Sequence, residues 1–216
     1  MPFDLDFARS ILPLLLQASI ITLEATFASF AVALVGGLFL MLGIRARIPV
    51  LSWSLWGAAQ FIRSTPLLVQ LYFLFFIPPE AGVVMPPFVT GVIGLGIHYS
   101  CYIAEVYRAG LTSVPKGQWE AAVALNYSPA QSMGWIILPQ AIPPIIPVLA
   151  NYMITMFKDT PILASITVIE LAQTANIIAS EKFLYVEPMT LVGLIFLAMS
   201  LVASAGVRLL EARFGR

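Results

Sequence analysis

The sequence predicts an all-α membrane protein whose helices cross the bilayer several times. Hydrophobic residues make up 60% of its 216 residues and charged residues only 10%, whereas a soluble domain carries about 25% charged residues. The mean hydropathy is +0.93. A soluble fold of this length could not bury so much apolar surface in one core. Because a spanning helix takes about 20 residues, the chain has room for about five or six of them.

Composition also excludes several classes of protein. Intrinsic disorder requires low hydrophobicity and high net charge, and a disulfide scaffold needs more than the single cysteine, Cys101. The 11 basic and 11 acidic residues balance, so no basic face for nucleic acid is expected. With one histidine and no Gly-Lys dipeptide, the chain offers neither a metal cluster nor a loop for ATP phosphates. We therefore expect it to bind no cofactor and to catalyse no reaction itself.

Five apolar stretches are long enough to cross a bilayer. They cover residues 19–43, 51–76, 88–110, 133–157 and 187–207. A short N-terminal segment, residues 1–18, is expected on the outer side, and a tail, residues 208–216, follows the last span. Another apolar stretch, residues 162–179, contains polar side chains that include Thr167, Glu170, Gln173, Thr174 and Asn176, and it is too polar to cross alone. We expect it to form a re-entrant or interfacial helix that protein or a water-filled cavity covers.

The distribution of basic residues predicts the orientation. With the N-terminus outside, three bases fall on the outer side and seven on the inner side. The outer bases are Arg9, Lys158 and Lys182, and the inner bases are Arg45, Arg47, Arg108, Lys116, Arg208, Arg213 and Arg216. Because basic residues concentrate on the cytoplasmic side, we expect the N-terminus outside and the C-terminus inside.

The inner segment between the third and fourth spans, residues 113–132, predicts an elbow of two short helices. Pro115 suits the start of the first helix, and Asn126 suits the left-handed residue that ends it. Ser128 can cap the second helix, and Gln131, three residues later, completes a capping box. An elbow of this kind would lie on the cytoplasmic side.

The first helix of this elbow is expected to expose an acid beside two small residues, Glu120-Ala121-Ala122. The alanines would permit close approach of another backbone, and the acid would offer one charge to a basic partner. This pattern suits a docking surface, while an ordinary structured loop is the alternative interpretation.

These residues resemble the EAA signature of ABC importer permeases, in which Glu-Ala-Ala is followed by a glycine and then by a hydrophobic-Leu-Pro sequence. Here the signature reads Glu120-Ala121-Ala122, then Asn126, then Ile137-Leu138-Pro139. Other stretches resemble the polar amino-acid branch of that family, namely Thr22-Leu23, residues 62–71, 105–108, 115–118 and 138–141, Asn151 and Lys158-Asp159-Thr160. The resemblance covers roughly residues 19–207.

The resemblance implies a type I permease subunit of a bacterial inner-membrane importer. Two permease subunits, identical or homologous, would join two cytoplasmic ATPases and an extracytoplasmic solute-binding protein. The ATPases would use ATP and Mg²⁺, and the solute would be a polar amino acid or a related zwitterion such as ectoine. The residues implied to couple to the ATPase are Gly117, Glu120, Ala121, Ala122, Asn126, Leu138 and Pro139.

Three residues depart from the family pattern. Asn126 and Ser64 stand where glycine is usual, and Pro161 stands where serine usually follows Lys-Asp-Thr. Asparagine can adopt the left-handed conformation, so the elbow is expected to survive. Pro161 removes a backbone donor in the region where the family is expected to contact solute, so the amino-acid preference does not transfer directly.

Arg63 lies in the middle of the second predicted span, beside Thr65 and Pro66. A charge facing lipid at that depth would cost about 2.5–3.5 kcal/mol, so Arg63 should face protein or a cavity. It either lines a solute path, together with Thr65 and the proline-broken backbone, or pairs with an acid such as Glu24 or Glu105. The two interpretations are compatible.

Lys158 and Asp159 end the fourth predicted span on the outer side. They either receive the carboxylate and ammonium of a zwitterion or anchor the helix end, with Lys158 reaching towards the interface. We expect Arg63, Thr65 and Asp159 to converge on one water-accessible cavity.

A self-contained secondary carrier or channel is the alternative function. Such a protein would need no elbow and would more often carry an inverted internal repeat, which the sequence lacks.

Overall fold

The computed structural model describes residues 3–46 and 48–214, and it contains helices and no strands over that part of the chain. The helices are α1 (Leu5–Ile44), α2 (Pro49–Ser64), α3 (Leu67–Phe76), α4 (Pro87–Ser113), α5 (Lys116–Ala124), α6 (Pro129–Gln131), α7 (Leu138–Asp159), α8 (Leu171–Lys182) and α9 (Val186–Phe214). A π-helical segment, Ser132–Ile137, joins α6 to α7, and 3₁₀ helices cover Pro78–Ala81 and Thr160–Ile166. Two bases used for the orientation, Arg47 and Arg216, lie outside the described residues.

Four helical stretches in the described part of the chain are long and apolar enough to cross a membrane. They are Leu5–Ile44, Pro87–Ser113, Pro129–Ile166 and Val186–Arg213. Helices α2 and α3 provide a fifth if this pair, bent by 107°, counts as one broken span. Each predicted apolar stretch therefore corresponds to a helix or helix pair, although the bounds differ.

Helix α1 begins well before the predicted first span. The Asp4 side chain caps it by accepting hydrogen bonds from the backbone N–H groups of Asp6 and Phe7. Residues 5–18, assigned from the sequence to a short N-terminal segment before the first span, form the first turns of α1. Ile11 and Leu15 are buried against α8 and α9, and partners this distant in sequence stabilise the extra turns. At the other end of the chain, α9 continues through most of the predicted tail.

The second predicted span breaks at Thr65, as the proline beside it suggests. Thr65 is extended, and Pro66 supplies no backbone donor. The side-chain amide of Gln70 donates to the carbonyl oxygens of Ile62, at 2.7 Å, and Thr65, at 3.0 Å. This amide therefore satisfies backbone acceptors that the break leaves free.

Small residues bring α1 and α4 into close contact. A Cβ added at Gly37 would lie 2.8 Å from Cγ2 of Ile103, and Gly36 and Gly96 are equally crowded by Ser100 and Val32. The glycines therefore permit close packing of the two helices, and these contacts fix which residues of α4 face the rest of the bundle.

The predicted re-entrant helix over 162–179 is divided in two. The 3₁₀ helix ends at Thr167, which has a φ of 66°, and α8 then starts behind the N-cap Glu170. The buried Glu170 carboxylate accepts hydrogen bonds from the Gln173 N–H, at 2.9 Å, and the Thr22 hydroxyl, at 3.2 Å. Burial raises the pKa of the Glu170 carboxyl, and these hydrogen bonds counteract the rise.

Candidate functional site

One face of α4 carries polar and aromatic side chains at helical spacing. His98, Tyr99, Tyr102 and Glu105 occupy positions i, i+1, i+4 and i+7. Side chains from α2, α3 and α7 meet them. We call the whole set the polar seam; it comprises Arg63, Gln70, His98, Tyr99, Tyr102, Glu105, Tyr152 and Asp159.

The end of the polar seam nearest the elbow is an ion pair. The Arg63 Nη1 lies 3.5 Å from Oε1 of Glu105, and Nη2 donates to Oε1 of Gln60 at 2.7 Å. Arg108 Nε donates to the other Glu105 oxygen at 2.7 Å. The Arg63 side chain is 19% exposed. Of the two acids considered for Arg63, the structure selects Glu105 and not Glu24.

The middle of the polar seam joins the broken helix to α4. The Gln70 side-chain nitrogen lies 2.7 Å from Oγ1 of Thr65, and its oxygen lies 3.0 Å from Nδ1 of His98. Because the amide oxygen can only accept, Nδ1 carries the proton in this arrangement. His98 is thus a hydrogen-bonded residue inside the bundle. Thr65 and Gln70 also line a largely apolar cavity of about 330 Å³.

The far end of the polar seam pairs an acid with a tyrosine. The Tyr99 hydroxyl donates to Oδ2 of Asp159 at 2.5 Å, and the Tyr99 ring packs against Tyr102 and Tyr152 with centroids 6.1 and 6.3 Å away. The other Asp159 oxygen has no hydrogen-bond partner in the described part of the chain, and Lys158 beside it is exposed. This carboxylate is held by a neutral donor, so its charge is not matched by a cation.

The three residues expected to share a cavity do not do so within the single chain. Thr65 lines the 330 Å³ cavity, but Arg63 and Asp159 do not. Their partners Glu105 and Tyr99 lie six positions apart on α4, which is about 9 Å along the helix axis. The polar seam rather than one cavity therefore connects Asp159 to Arg63.

Sequence analysis did not identify the tyrosines as site residues. Tyr102 lies one helical turn from His98, and Tyr152 lies seven residues before Asp159. That spacing is a signal for shared faces. However, aromatic residues at helical spacing usually belong to a core, so the spacing alone could not assign them.

The elbow has the geometry that the sequence predicts. Helix α5 starts after Pro115, and Asn126 has a φ of 59°. The Ser128 hydroxyl accepts from the backbone of Gln131 at 3.3 Å, and the Gln131 side chain accepts from the backbone of Ser128 at 2.9 Å. Both halves of the capping box are present, so the local prediction is confirmed.

The residues predicted to couple to the ATPase divide by exposure. Those that lie on the surface are Gly117, Glu120, Ala121, Asn126, Leu138 and Pro139. Ala122 is only 1% exposed, so the expectation that both alanines are accessible was wrong. Successive helical residues point about 100° apart, and the Ala122 side of α5 packs on the π-helical segment. Val123 and Leu125, at 75% and 65% exposed, add apolar area to the surface.

Comparisons with known proteins agree with this architecture. A family profile described as "Binding-protein-dependent transport system inner membrane component" matches residues 40–216. The probable amino-acid ABC transporter permease protein y4tG of Sinorhizobium fredii is 46% identical, covering 96% of this chain and 90% of the relative. The L-cystine transport system permease protein TcyB of Bacillus subtilis is 33% identical, covering 93% and 88%.

A solved structure is also similar over the full length. The crystal structure of an amino acid ABC transporter with histidines contains a chain with a TM-score of 0.93 and 35% identity. The match covers 99% of the present chain and 100% of that one.

Proposed function

This chain belongs to the family of inner membrane components of binding-protein-dependent transport systems, and we propose that it is the permease subunit of an ABC importer for polar amino acids. The observation that carries the proposal is the polar seam inside a bundle of apolar helices. Charged groups within spanning helices are costly unless they face protein or a water-filled path. The relatives named for amino acids support the solute class.

Asp159 is the residue that we assign to the solute's ammonium group. Its carboxylate is fixed by Tyr99 on one oxygen, and the other oxygen has no hydrogen-bond partner among the described residues. Lys158 is exposed beside it to meet the solute carboxylate. Arg63, paired to Glu105, and Thr65 form the next polar positions along the path. A zwitterion would thus exchange its hydration for fixed charges of opposite sign at each end.

The elbow is the surface that we assign to the ATPase. Gly117, Glu120 and Ala121 lie on one exposed face of α5, since positions i, i+3 and i+4 adjoin on a helix. Asn126 sets the turn, while Ala122, Leu138 and Pro139 support the helix junction. The ATPase pair would bind and hydrolyse ATP with Mg²⁺, and closure of that pair would move the elbows of two permeases.

The orientation of the chain in the membrane is assigned from the distribution of basic residues. We place the N-terminus outside and the C-terminus in the cytoplasm, because basic residues favour the cytoplasmic side. The extracytoplasmic binding protein would deliver solute near Asp159, and a second permease, identical or homologous, would complete the path.

Reconstituted transport tests the proposal. The permease, its ATPase and its binding protein are incorporated into liposomes, and uptake of radiolabelled amino acids is measured with and without internal ATP. Losing a hydrogen bond to a charged group costs about 1.5–3 kcal/mol, so Asp159→Asn should lower uptake about 10- to 100-fold. ATPase co-purification and basal hydrolysis should be unchanged.

The matched control is Asp6→Asn, which changes an exposed acid in the first turn of α1 and should transport normally. Wild-type uptake by Asp159→Asn for every amino acid tested would remove Asp159 from the path. Uptake driven by an ion gradient without ATP would favour the secondary carrier.

A further inference from the structure

We propose that a cleft at the inner end of the bundle binds the phosphate group of an anionic phospholipid. The cleft lies between the end of α1, α2 and α4, and its lining includes Arg45, Ala59, Glu105 and Arg108. We call it the basic cleft. Arg45 and Arg108 are assigned neither to the solute nor to the ATPase. The inference rests on the orientation in the proposed function, which puts this cleft in the cytoplasmic half of the membrane.

The packing of α1 against α4 puts the two arginines at the same depth. Two close contacts between these helices join residues 64 positions apart, namely Val32 with Gly96 and Gly36 with Ser100. The helices therefore run in the same direction. Continuing this register places Arg45 level with Ala109, one residue after Arg108. The two guanidinium groups thus reach the basic cleft from adjacent helices.

Positive charge exceeds negative charge around the basic cleft. Glu105 is shared, because Arg63 Nη1 lies 3.5 Å from its Oε1 and Arg108 Nε donates to its Oε2 at 2.7 Å. Within the described part of the chain, no other acid lies at ion-pair distance from Arg63 or Arg108, and Arg45 has no ion-pair partner. Three guanidinium groups accompany one carboxylate, so two positive charges are unmatched.

The two arginines also keep unused hydrogen-bond donors. Arg108 is 51% exposed, and neither of its Nη atoms has a hydrogen-bond partner in the described ranges. Arg45 is exposed as well, and its side chain makes no hydrogen bond to the residues that the structure describes. A guanidinium carries five N–H donors in a planar fork that fits the oxygens of a phosphate. Two such groups can therefore bind one phosphate through several charge-assisted hydrogen bonds.

The surroundings of the basic cleft are those of a membrane interface. Leu42, one turn before Arg45, is 53% exposed, and Trp53 and Trp56 on α2 are 72% and 43% exposed. Tryptophan is enriched where the hydrocarbon meets the headgroups, and basic pockets between spanning helices bind anionic headgroups. Trp56 lies one turn before Ala59, which lines the cleft. This rim suits the acyl chains of a lipid, whereas a soluble phosphate ion would make no use of it.

A lipid bound in the basic cleft would also act on the polar seam. Helix α2, which is described throughout, has one buried residue, Ala59, so few contacts hold it. Arg63 on α2 shares Glu105 with Arg108. A phosphate bound to Arg108 would leave the carboxylate to Arg63 and strengthen the contact between α2 and α4. We therefore expect an anionic lipid to support transport.

Native mass spectrometry of the purified transporter tests the lipid site. The permease, in complex with its ATPase in detergent, is titrated with phosphatidylglycerol or phosphatidylcholine, and the number and affinity of bound lipids are measured. Arg45→Gln and the double variant Arg45→Gln/Arg108→Gln change the basic cleft. Arg208→Gln is the matched control, because Arg208 is exposed near the inner end of α9 and lies outside the cleft lining.

We expect wild type and Arg208→Gln to bind phosphatidylglycerol about tenfold more tightly than phosphatidylcholine. Arg45→Gln should lose most of this preference and the double variant all of it. Because the Arg45 side chain makes no described contact by hydrogen bond or ion pair, its loss should not impair folding, which the thermal unfolding midpoint checks. Arg45→Lys keeps the charge and should keep the preference. Inorganic phosphate at millimolar concentration should not displace the lipid.

Uptake of radiolabelled amino acids into liposomes of the same two lipids separates this inference from the proposed function. Preferential binding of phosphatidylglycerol without any ATP-driven uptake would count against the proposed function alone. Equal binding of both lipids by wild type would overturn the inference, as would an unchanged preference in the double variant. Displacement by inorganic phosphate would assign the basic cleft to a free anion, and loss of ATPase co-purification in Arg45→Gln would assign it to a protein contact. Either result would also overturn the inference.

Discussion

The elbow and the polar seam differ in how far apart along the sequence their hydrogen-bonded residues lie. The turn and cap hydrogen bonds of the elbow join residues that are close in sequence, as in the Ser128–Gln131 capping box, which spans three residues. The longest-range hydrogen bond to the elbow, from Gln140 to Gln118, spans 22 residues. The polar seam joins Gln70 to His98 and Tyr99 to Asp159, which lie 28 and 60 residues apart. The elbow is therefore a local structure on the surface, whereas the polar seam exists only when the bundle is assembled.

This difference separates two kinds of functional effect. Substitutions on the exposed elbow should change its communication with a partner while leaving the bundle stable. Substitutions in the polar seam should change stability and transport together, because the same contacts hold the helices and, in our proposal, line the solute path.

The largest effect is expected from Glu120→Lys on the elbow. If the partner surface is basic, reversing this charge sets like charges against each other at a cost of several kcal/mol. Uptake should fall about a hundredfold or more, while abundance and the thermal unfolding midpoint stay unchanged. Glu181→Lys, at another exposed acid, is the control. Normal uptake and ATPase association in Glu120→Lys would show that the elbow does not dock the ATPase through Glu120.

The next effect is expected from Glu105→Gln in the polar seam. The change leaves the guanidinium of Arg63 without a charged partner, and we expect a loss of about 1–3 kcal/mol of unfolding free energy, measured by denaturant titration in detergent. The Arg63→Gln/Glu105→Gln double variant should lose less than the sum of the single variants. Arg108→Gln, at an arginine 51% exposed, should cost little. Additive losses would show that Arg63 and Glu105 act independently.

A smaller effect is expected at Asn126, and it tests whether elbow geometry is local. The left-handed conformation costs a residue with a Cβ about 1–2 kcal/mol, and asparagine tolerates it better than a β-branched residue. Asn126→Gly should transport normally, whereas Asn126→Val should lower uptake severalfold with little change in global stability. Equal uptake by both variants would contradict a requirement for the left-handed turn at Asn126.

The smallest effect is expected at Ser29, inside the bundle. Its hydroxyl is fully buried and is the one buried side-chain polar atom in the described residues without a hydrogen-bond partner. Ser29→Ala should leave unfolding free energy unchanged or raise it by about 1 kcal/mol. Ser100→Ala, which removes a hydroxyl bonded to the Gly96 carbonyl at 2.7 Å, should lower it. A marked loss from Ser29→Ala would indicate an unrecognised contact.

Sequence by itself determined the features whose causes act within a few residues. Proline beside Thr65 predicts the break in the second span, Asn126 predicts the left-handed turn, and Ser128 with Gln131 predicts the capping box; the structure confirms all three. The apolar stretches predict five spanning segments, and the described residues contain four candidate spans, or five if α2 and α3 form one broken span. Each follows from backbone geometry or from hydrophobicity over one helix length.

Tertiary structure alone decided which distant groups pair. The sequence left Glu24 and Glu105 both open as partners for Arg63, and the selection of Glu105 depends on how α2 is placed against α4. The first turns of α1 begin at the local Asp4 cap, but they are buried against α8, more than 150 residues later. Such pairings depend on helix positions fixed by close contacts such as Gly37 against Ile103. Local propensity carries no information about them, because a helix can present the same face at many positions relative to its neighbours.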